Sequence, residues 1–176
     1  MRKFITLIIL TASISLGCAQ TTSKKQPNYC VDAAFDKKVS KLISFSVPII
    51  DVQELKDIQN EVHIFDARER VEYDVSHIKD AEYIGYDDFN PERLKHIPKD
   101  TKIVLYCSIG YRSEKIGEKL LSLGYTEVYN LYGSIFEWVN RGNTIQDKNG
   151  NPTTKVHTYN QSWSKWLDGN KAKKVW

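Results

Sequence analysis

The chain has 176 residues, 41% of them hydrophobic and 27% charged, and its 25 basic against 22 acidic side chains give a formal net charge of +3. That length suits one domain with its own core. Apart from Lys171, Lys173 and Lys174 no basic block stands out, so nucleic-acid binding finds no support in the charge pattern.

Met1-Arg2-Lys3 opens the chain, an apolar run follows from Phe4 to Leu16, and Gly17-Cys18-Ala19-Gln20 closes the segment. A basic start, a short apolar core and small residues before a cysteine read as a secretory signal over residues 1–17. The apolar core is shorter than the roughly 20 residues a membrane-spanning helix needs. Gly17-Cys18 resembles a bacterial lipobox, although Ser15 stands where Leu is usual. Cys18 is therefore the expected lipidation site, and several acyl chains would hold the protein on a membrane. The expected location is the bacterial cell envelope, anchored and facing the periplasm; the alternative is an ordinary cleaved signal. Residues 18–32 make the anchor site and a polar, flexible tether.

From Ala33 to Ile43, Phe35, Val39, Leu42 and Ile43 recur at helical spacing. Phe45 to Ile50 reads as a strand, and Asp51 with Glu54 as a capping box for a helix through Ile58. Val62 to Asp66 is a strand, Glu69 to Tyr73 a helical turn, Ala81 to Ile84 a strand and Phe89 to His96 a helix closed by Pro98. Lys102 to Tyr106 is a buried strand. Ile116, Leu120, Leu121 and Leu123 line the helix that begins at about Ser113 and ends at Gly124. Glu127 to Leu131 and Ser134 to Val139 complete the alternation, which predicts a parallel α/β sheet. Residues 143–176 form a turn-rich extension whose Trp163, Trp166 and Leu167 are expected to share one face and dock on the core; an aromatic ligand platform is the lesser alternative.

Between the strand and the helix lies Cys107-Ser108-Ile109-Gly110-Tyr111-Arg112-Ser113. Loop N–H groups and a helix N-terminus favour an anion there, and a cysteine so placed is expected to be largely thiolate. In a parallel sheet the functional crevice lies beyond the carboxyl ends of the strands, where Cys107 falls. A lone Cys at a strand end is more often a small hydrophobe, but apolar packing requires neither the Gly nor the Arg. Cys30 reads as an idle or packed thiol. His63, His96 and His157 have no metal-ligand spacing, so no metal is expected.

These pieces, with Asp66-Ala67-Arg68-Glu69, Glu72-Tyr73, Ser76-His77-Ile78 and Leu131-Tyr132-Gly133-Ser134 before Trp138, resemble the rhodanese-like domain family in its order of elements. The likeness covers roughly 46–142 within a domain spanning 33–142. It implies a three-layer α/β domain with a central, mostly parallel sheet and helices on both faces. It also implies a sulfurtransferase without a cofactor. Cys107 would take the outer sulfur of a small donor anion such as thiosulfate, and a thiol or cyanide acceptor would remove it. Ser108, Ile109, Gly110, Tyr111, Arg112 and Ser113 would bind the substrate, while Asp66, Arg68 and His77 would act as supports. The sequence leaves any protein partner unknown. The four residues between Cys107 and Arg112 match sulfur-handling members rather than the related phosphatases and arsenate reductases, which carry five. Ser108 stands where many thiosulfate users have Arg or Lys. A non-catalytic sulfur-carrier, sensor or interaction module is the alternative from another class.

Overall fold

The computed structural model describes residues 29–176. The expected signal and the Cys18 lipidation site therefore lie outside the described residues. Among the described residues no helix is long and apolar enough to cross a membrane.

Five short strands form the central sheet: β1 (Ile49–Ile50), β2 (His63–Asp66), β4 (Glu82–Tyr83), β5 (Ile103–Tyr106) and β6 (Val128–Leu131). Their order is β1-β6-β5-β2-β4, and every pairing is parallel. β5 is central and buried along its whole length, as a strand covered on both faces must be. Its side chains alternate: Val104 and Tyr106 join one apolar cluster, Ile103 and Leu105 the other.

The first cluster takes in α1 (Ala33–Ser40), α2 (Val52–Ile58) and α5 (Ser134–Asn140) through Phe35, Val39, Val52, Leu55, Ile135, Phe136 and Val139. The second takes in α4 (Tyr111–Ser122) through Ile116 and Leu120, and the 3-10 turn Pro91–Leu94 through Leu94. Helices thus cover both faces of a parallel sheet, in three layers. The helix α3 (Arg70–Val75) follows β2 at the carboxyl edge.

Several boundaries differ from the sequence expectation, each for a local reason. The segment Phe45 to Pro48 is not strand. Glu114 accepts from the Ser44 N–H at 2.9 Å and from the Ser46 N–H at 3.2 Å, so the backbone curls around a carboxylate instead of pairing, with Phe45 at φ 56. The helix expected over Phe89 to His96 is the short 3-10 turn, started by Pro91 and by the Asn90 side chain accepting from the Glu92 N–H. The Cys107 helix begins at Tyr111, two residues early, because Gly110 caps it at φ 117. That conformation suits glycine and strains other residues.

The extension contains strands that periodicity does not reveal. β3 (His77–Ile78) pairs antiparallel with β7 (Ile145–Gln146), which pairs with β8 (Pro152–Thr153). β9 (Lys155–His157) and β10 (Lys173–Val175) pair in parallel. The connection between them carries the one-turn helix α6 (Gln161–Ser164). Trp166 stacks on Phe35 with 5.7 Å between ring centroids, and Leu167 is buried. Trp163 packs against the same core cluster and also lines a cavity described below. Trp163, Trp166 and Leu167 all meet one apolar cluster, although α6 ends before Trp166, so the three do not share a single helix.

Candidate active site

Cys107 leaves the end of β5 and is 1% exposed. Its own N–H donates to Ser134 Oγ at 3.1 Å, and its carbonyl accepts from the Ile135 N–H at 3.2 Å. Phe136 N–H reaches the Ser108 carbonyl at 3.3 Å. The first turn of α5 thus grips the loop from behind. Ser134 holds φ 53 to do so, an uncommon conformation for a residue with a Cβ. Its Oγ also donates to the Leu131 carbonyl at 3.1 Å.

The sulfur faces the other way. Gly110 N–H donates to Cys107 Sγ at 3.2 Å. Burial pushes the thiol pKa up. The Arg112 charge and the N–H groups of Ser113, Gly110 and Ile109 push it down by more, and the net value lies below the ordinary thiol value. These influences are hydrogen bonds and charge favouring the anion over its desolvated state. α4 adds its N-terminal dipole.

Arg112 does not point freely at an incoming anion. Its Nη1 donates to Glu72 Oε2 at 2.6 Å and its Nη2 to Glu72 Oε1 at 2.9 Å, a bidentate pair. Nη2 also donates to Ser108 Oγ at 3.0 Å, and Ser108 Oγ lies 3.2 Å from Glu72 Oε1. Burial pushes the Glu72 carboxyl up, but Arg112 pulls it below the ordinary value. His157, on β9, lies 4.0 Å from the same carboxylate.

The residues expected to bind substrate are thus brought together, with one difference. Ser113 is fully buried and its Oγ donates to Asn130 Oδ1 at 2.7 Å, so only its N–H serves the sulfur. Cys107, Ser108, Ile109, Tyr111 and Arg112 line a cavity of about 320 Å³, and Gly110, which does not line it, meets the sulfur through its N–H. Leu42, Tyr86, Tyr159 and Trp163 complete the lining.

The three supports sit apart from the sulfur. Asp66 and Arg68 are fully buried and paired at 2.6 Å, and Arg68 Nη2 donates to the Ser76 carbonyl at 2.5 Å. They tie β2 to the turn after α3, which carries Glu72. His77 stacks on Tyr73 at 4.0 Å and its Nε2 meets the Gln146 side chain at 3.1 Å, linking α3 to β7. None of the three lines the cavity.

Sequence reasoning assigned no role to Glu72, Ser134 or Tyr159. Glu72 is 40 residues from Arg112 in sequence, and nothing local marks the pairing. Ser134 carried a signal, a small polar residue after Gly133 opening an apolar helix. Cys30 is buried and free. Burial and then the charges of Glu137 and Asp36 push its thiol far up, making it a packed, unreactive group. Among the described residues no three His, Cys, Asp or Glu side chains are grouped to hold a metal ion.

Comparison with known proteins places this geometry. The family model of the rhodanese-like domain matches residues 51–141, just over half of the chain. A tRNA uridine(34) hydroxylase of Cytophaga hutchinsonii is 33% identical over 88 residues, 48% of this chain and 28% of that protein. The Salmonella newport protein of the same name is 34% identical over 96 residues, 52% of this chain and 27% of that one. The chain thus spans little more than a quarter of these curated relatives. Among solved structures, a rhodanese-like domain protein from Staphylococcus aureus is 29% identical with a TM-score of 0.50, covering 57% of this chain and 98% of that one. A thiosulfate sulfurtransferase from Pseudomonas aeruginosa shares the fold with a TM-score of 0.53 at 21% identity, covering 57% of this chain and 20% of that one.

Proposed function

We propose, from the premise that this chain belongs to the rhodanese-like domain family, that it is a sulfurtransferase carrying sulfane sulfur on Cys107. The observation that supports this best is a nucleophilic sulfur lining a cavity. Its pKa is lowered by Arg112 and three N–H groups.

In the first step the Cys107 thiolate attacks the outer sulfur of a donor. An S–S bond forms to Cys107, the donor's bond to that sulfur breaks, and the electron pair leaves with the remainder, sulfite in the case of thiosulfate. The product is a Cys107 persulfide. In the second step an acceptor thiolate or cyanide attacks the outer sulfur and the Cys107 thiolate leaves. Both steps are thiolate displacements and need no separate general base. The N–H groups of Ile109, Gly110 and Ser113 that favour the resting thiolate favour each sulfur anion that replaces it, a preorganised contribution that requires no rearrangement during reaction. Asp66, Arg68 and His77 position α3 and hence Glu72 and Arg112.

Mass spectrometry of the protein after incubation with thiosulfate or polysulfide tests this reading. A gain of one sulfur atom on Cys107, lost again on adding cyanide or a thiol, is the expected result; no gain with either donor overturns it. A persulfide that forms but is not passed on would favour the sulfur-carrier reading, for which the locking of Arg112 by Glu72 is the relevant observation. The envelope location and the lipid anchor are part of the same proposal and rest on the Gly17-Cys18 pattern.

A further inference from the structure

The cavity over Cys107 offers a small inorganic dianion little and an apolar group much. Its walls are Leu42, Tyr86, Ile109, Tyr111, Tyr159 and Trp163. Of the described residues lining it, Arg112 alone is cationic, and its charge is matched by the Glu72 carboxylate through two hydrogen bonds. The residue after Cys107 is Ser108, whose Oγ is occupied by the same Glu72–Arg112 pair. A dianion entering here would lose part of its water to a mostly apolar, half-open cleft with no unpaired cation among the described residues of its lining, and burying charge without a partner is costly.

Two of the wall residues come from the extension, and Tyr159 bears marks of a role beyond packing. It holds φ 64 and is 55% exposed, so it endures backbone strain without burying its ring in the core. Such strain persists where the surroundings impose it and gathers at functional sites. Here the Tyr159 N–H donates to His157 Nδ1 at 3.1 Å, and its ring lies 5.3 Å over the Arg112 guanidinium. Trp163 is set by Asn160, whose side chain accepts from its N–H at 3.1 Å.

We propose that this pocket selects sulfane-sulfur compounds bearing an apolar organic group, with Tyr159 and Trp163 as its specificity residues. The reactive sulfur reaches Cys107 while an aryl or alkyl group occupies the aromatic upper part of the cavity, which at about 320 Å³ lies at the lower end of small-molecule sites. The inference rests on the sulfurtransferase reading and narrows its substrate class. For an organic thiosulfonate, R–SO2–S−, the Cys107 thiolate bonds to the outer sulfur. The bond from that sulfur to R–SO2 breaks, and its electron pair leaves with the sulfinate R–SO2−. No external oxidant or reductant is required.

Benzenethiosulfonate and methanethiosulfonate share reactive group and charge and differ in the apolar part. Loading of Cys107 in the full-length chain is followed by mass, and the ratio of rate constants for the two donors is divided by their ratio toward a small thiol in water. The expected excess for the phenyl donor is about tenfold or more, the scale of apolar pocket discrimination. Trp163→Ala and Tyr159→Ala should each cut that excess to under about threefold. The Tyr159 ring is largely exposed, so Tyr159→Ala keeps the test valid if Trp163→Ala fails to fold, as judged by its melting transition. Equal loading by the two donors, or an excess untouched in a folded variant, overturns this inference and leaves the sulfurtransferase reading standing. Failure of both thiosulfonates to load Cys107, when thiosulfate or polysulfide does load it, also overturns this inference alone; failure of all four donors overturns both.

Discussion

At the scale of single residues, the chemistry turns on how Cys107 and Arg112 share charge. Cys107→Ser should abolish both the sulfur adduct and turnover, because the proposed mechanism makes its sulfur the nucleophile; full retained activity in a thiosulfate–cyanide assay would remove Cys107 from the mechanism. The loading rate of the wild type should follow thiolate content, rising with pH to a plateau whose midpoint lies below the ordinary thiol value of 9.0. Arg112→Gln should shift that midpoint upward. It removes the foremost influence holding the thiol down and leaves the buried Glu72 charge without its partner. An unmoved midpoint would show that the N–H groups alone set the pKa. Ser108→Arg tests the missing charge. A new cation should lower KM for thiosulfate more than it changes kcat, by the roughly 1.5–3 kcal/mol of a charge-assisted hydrogen bond. The position of the cysteine loop was legible in the sequence because strand, cysteine, glycine and arginine follow one another closely there. Glu72 was not, because its partner is brought to it only by the fold.

At the scale of elements, the site depends on two helix starts that meet at one loop. Ser134→Ala would leave the buried Cys107 N–H without its acceptor, a loss of about 1–3 kcal/mol. Denaturant unfolding of that variant should show a lower midpoint with an unchanged slope. Ser134→Gly would relieve the φ 53 strain and should recover part of the loss, which separates strain from hydrogen bonding. The strand–helix alternation was readable because β2, β5, β6 and α4 have full apolar faces. The short strands of the extension were not, since two or three residues carry no measurable period. Phe45 to Pro48 misled for another reason: its alternating apolar residues fit a strand, but the carboxylate of Glu114 captures its amides.

At the scale of the whole molecule, the Glu72–Arg112 pair ties α3 to α4, and β9 lies against the same carboxylate. Because the Glu72 pKa is depressed on folding, its contribution to stability is present above the unfolded value, near 4.5, and fades as pH falls through the folded value. Thermal midpoints should therefore drop below about pH 4.5, and Glu72→Gln should remove part of that drop while lowering stability near neutrality. A Glu72→Gln profile parallel to that of the wild type would show that other carboxylates govern acid sensitivity.

The parallel pairing of β9 with β10 has its own consequence. Parallel neighbours cannot be joined by a tight turn, so residues 158–172 must travel from one end of the pair back to the other. Tyr159 and Trp163 ride on that detour, and the Thr158 N–H bond to Val175 O and the Lys173 N–H bond to Thr154 O, each 2.8 Å, fasten both of its ends. Cys107 and this detour are thus separate stretches of chain, each with backbone fastenings of its own, that meet where the Tyr159 ring lies over Arg112. On the proposal that Tyr159 and Trp163 set donor preference, residues 158–172 should be exchangeable for another sequence with the cysteine loop keeping its geometry, so that preference would be a replaceable module on a fixed reactive base.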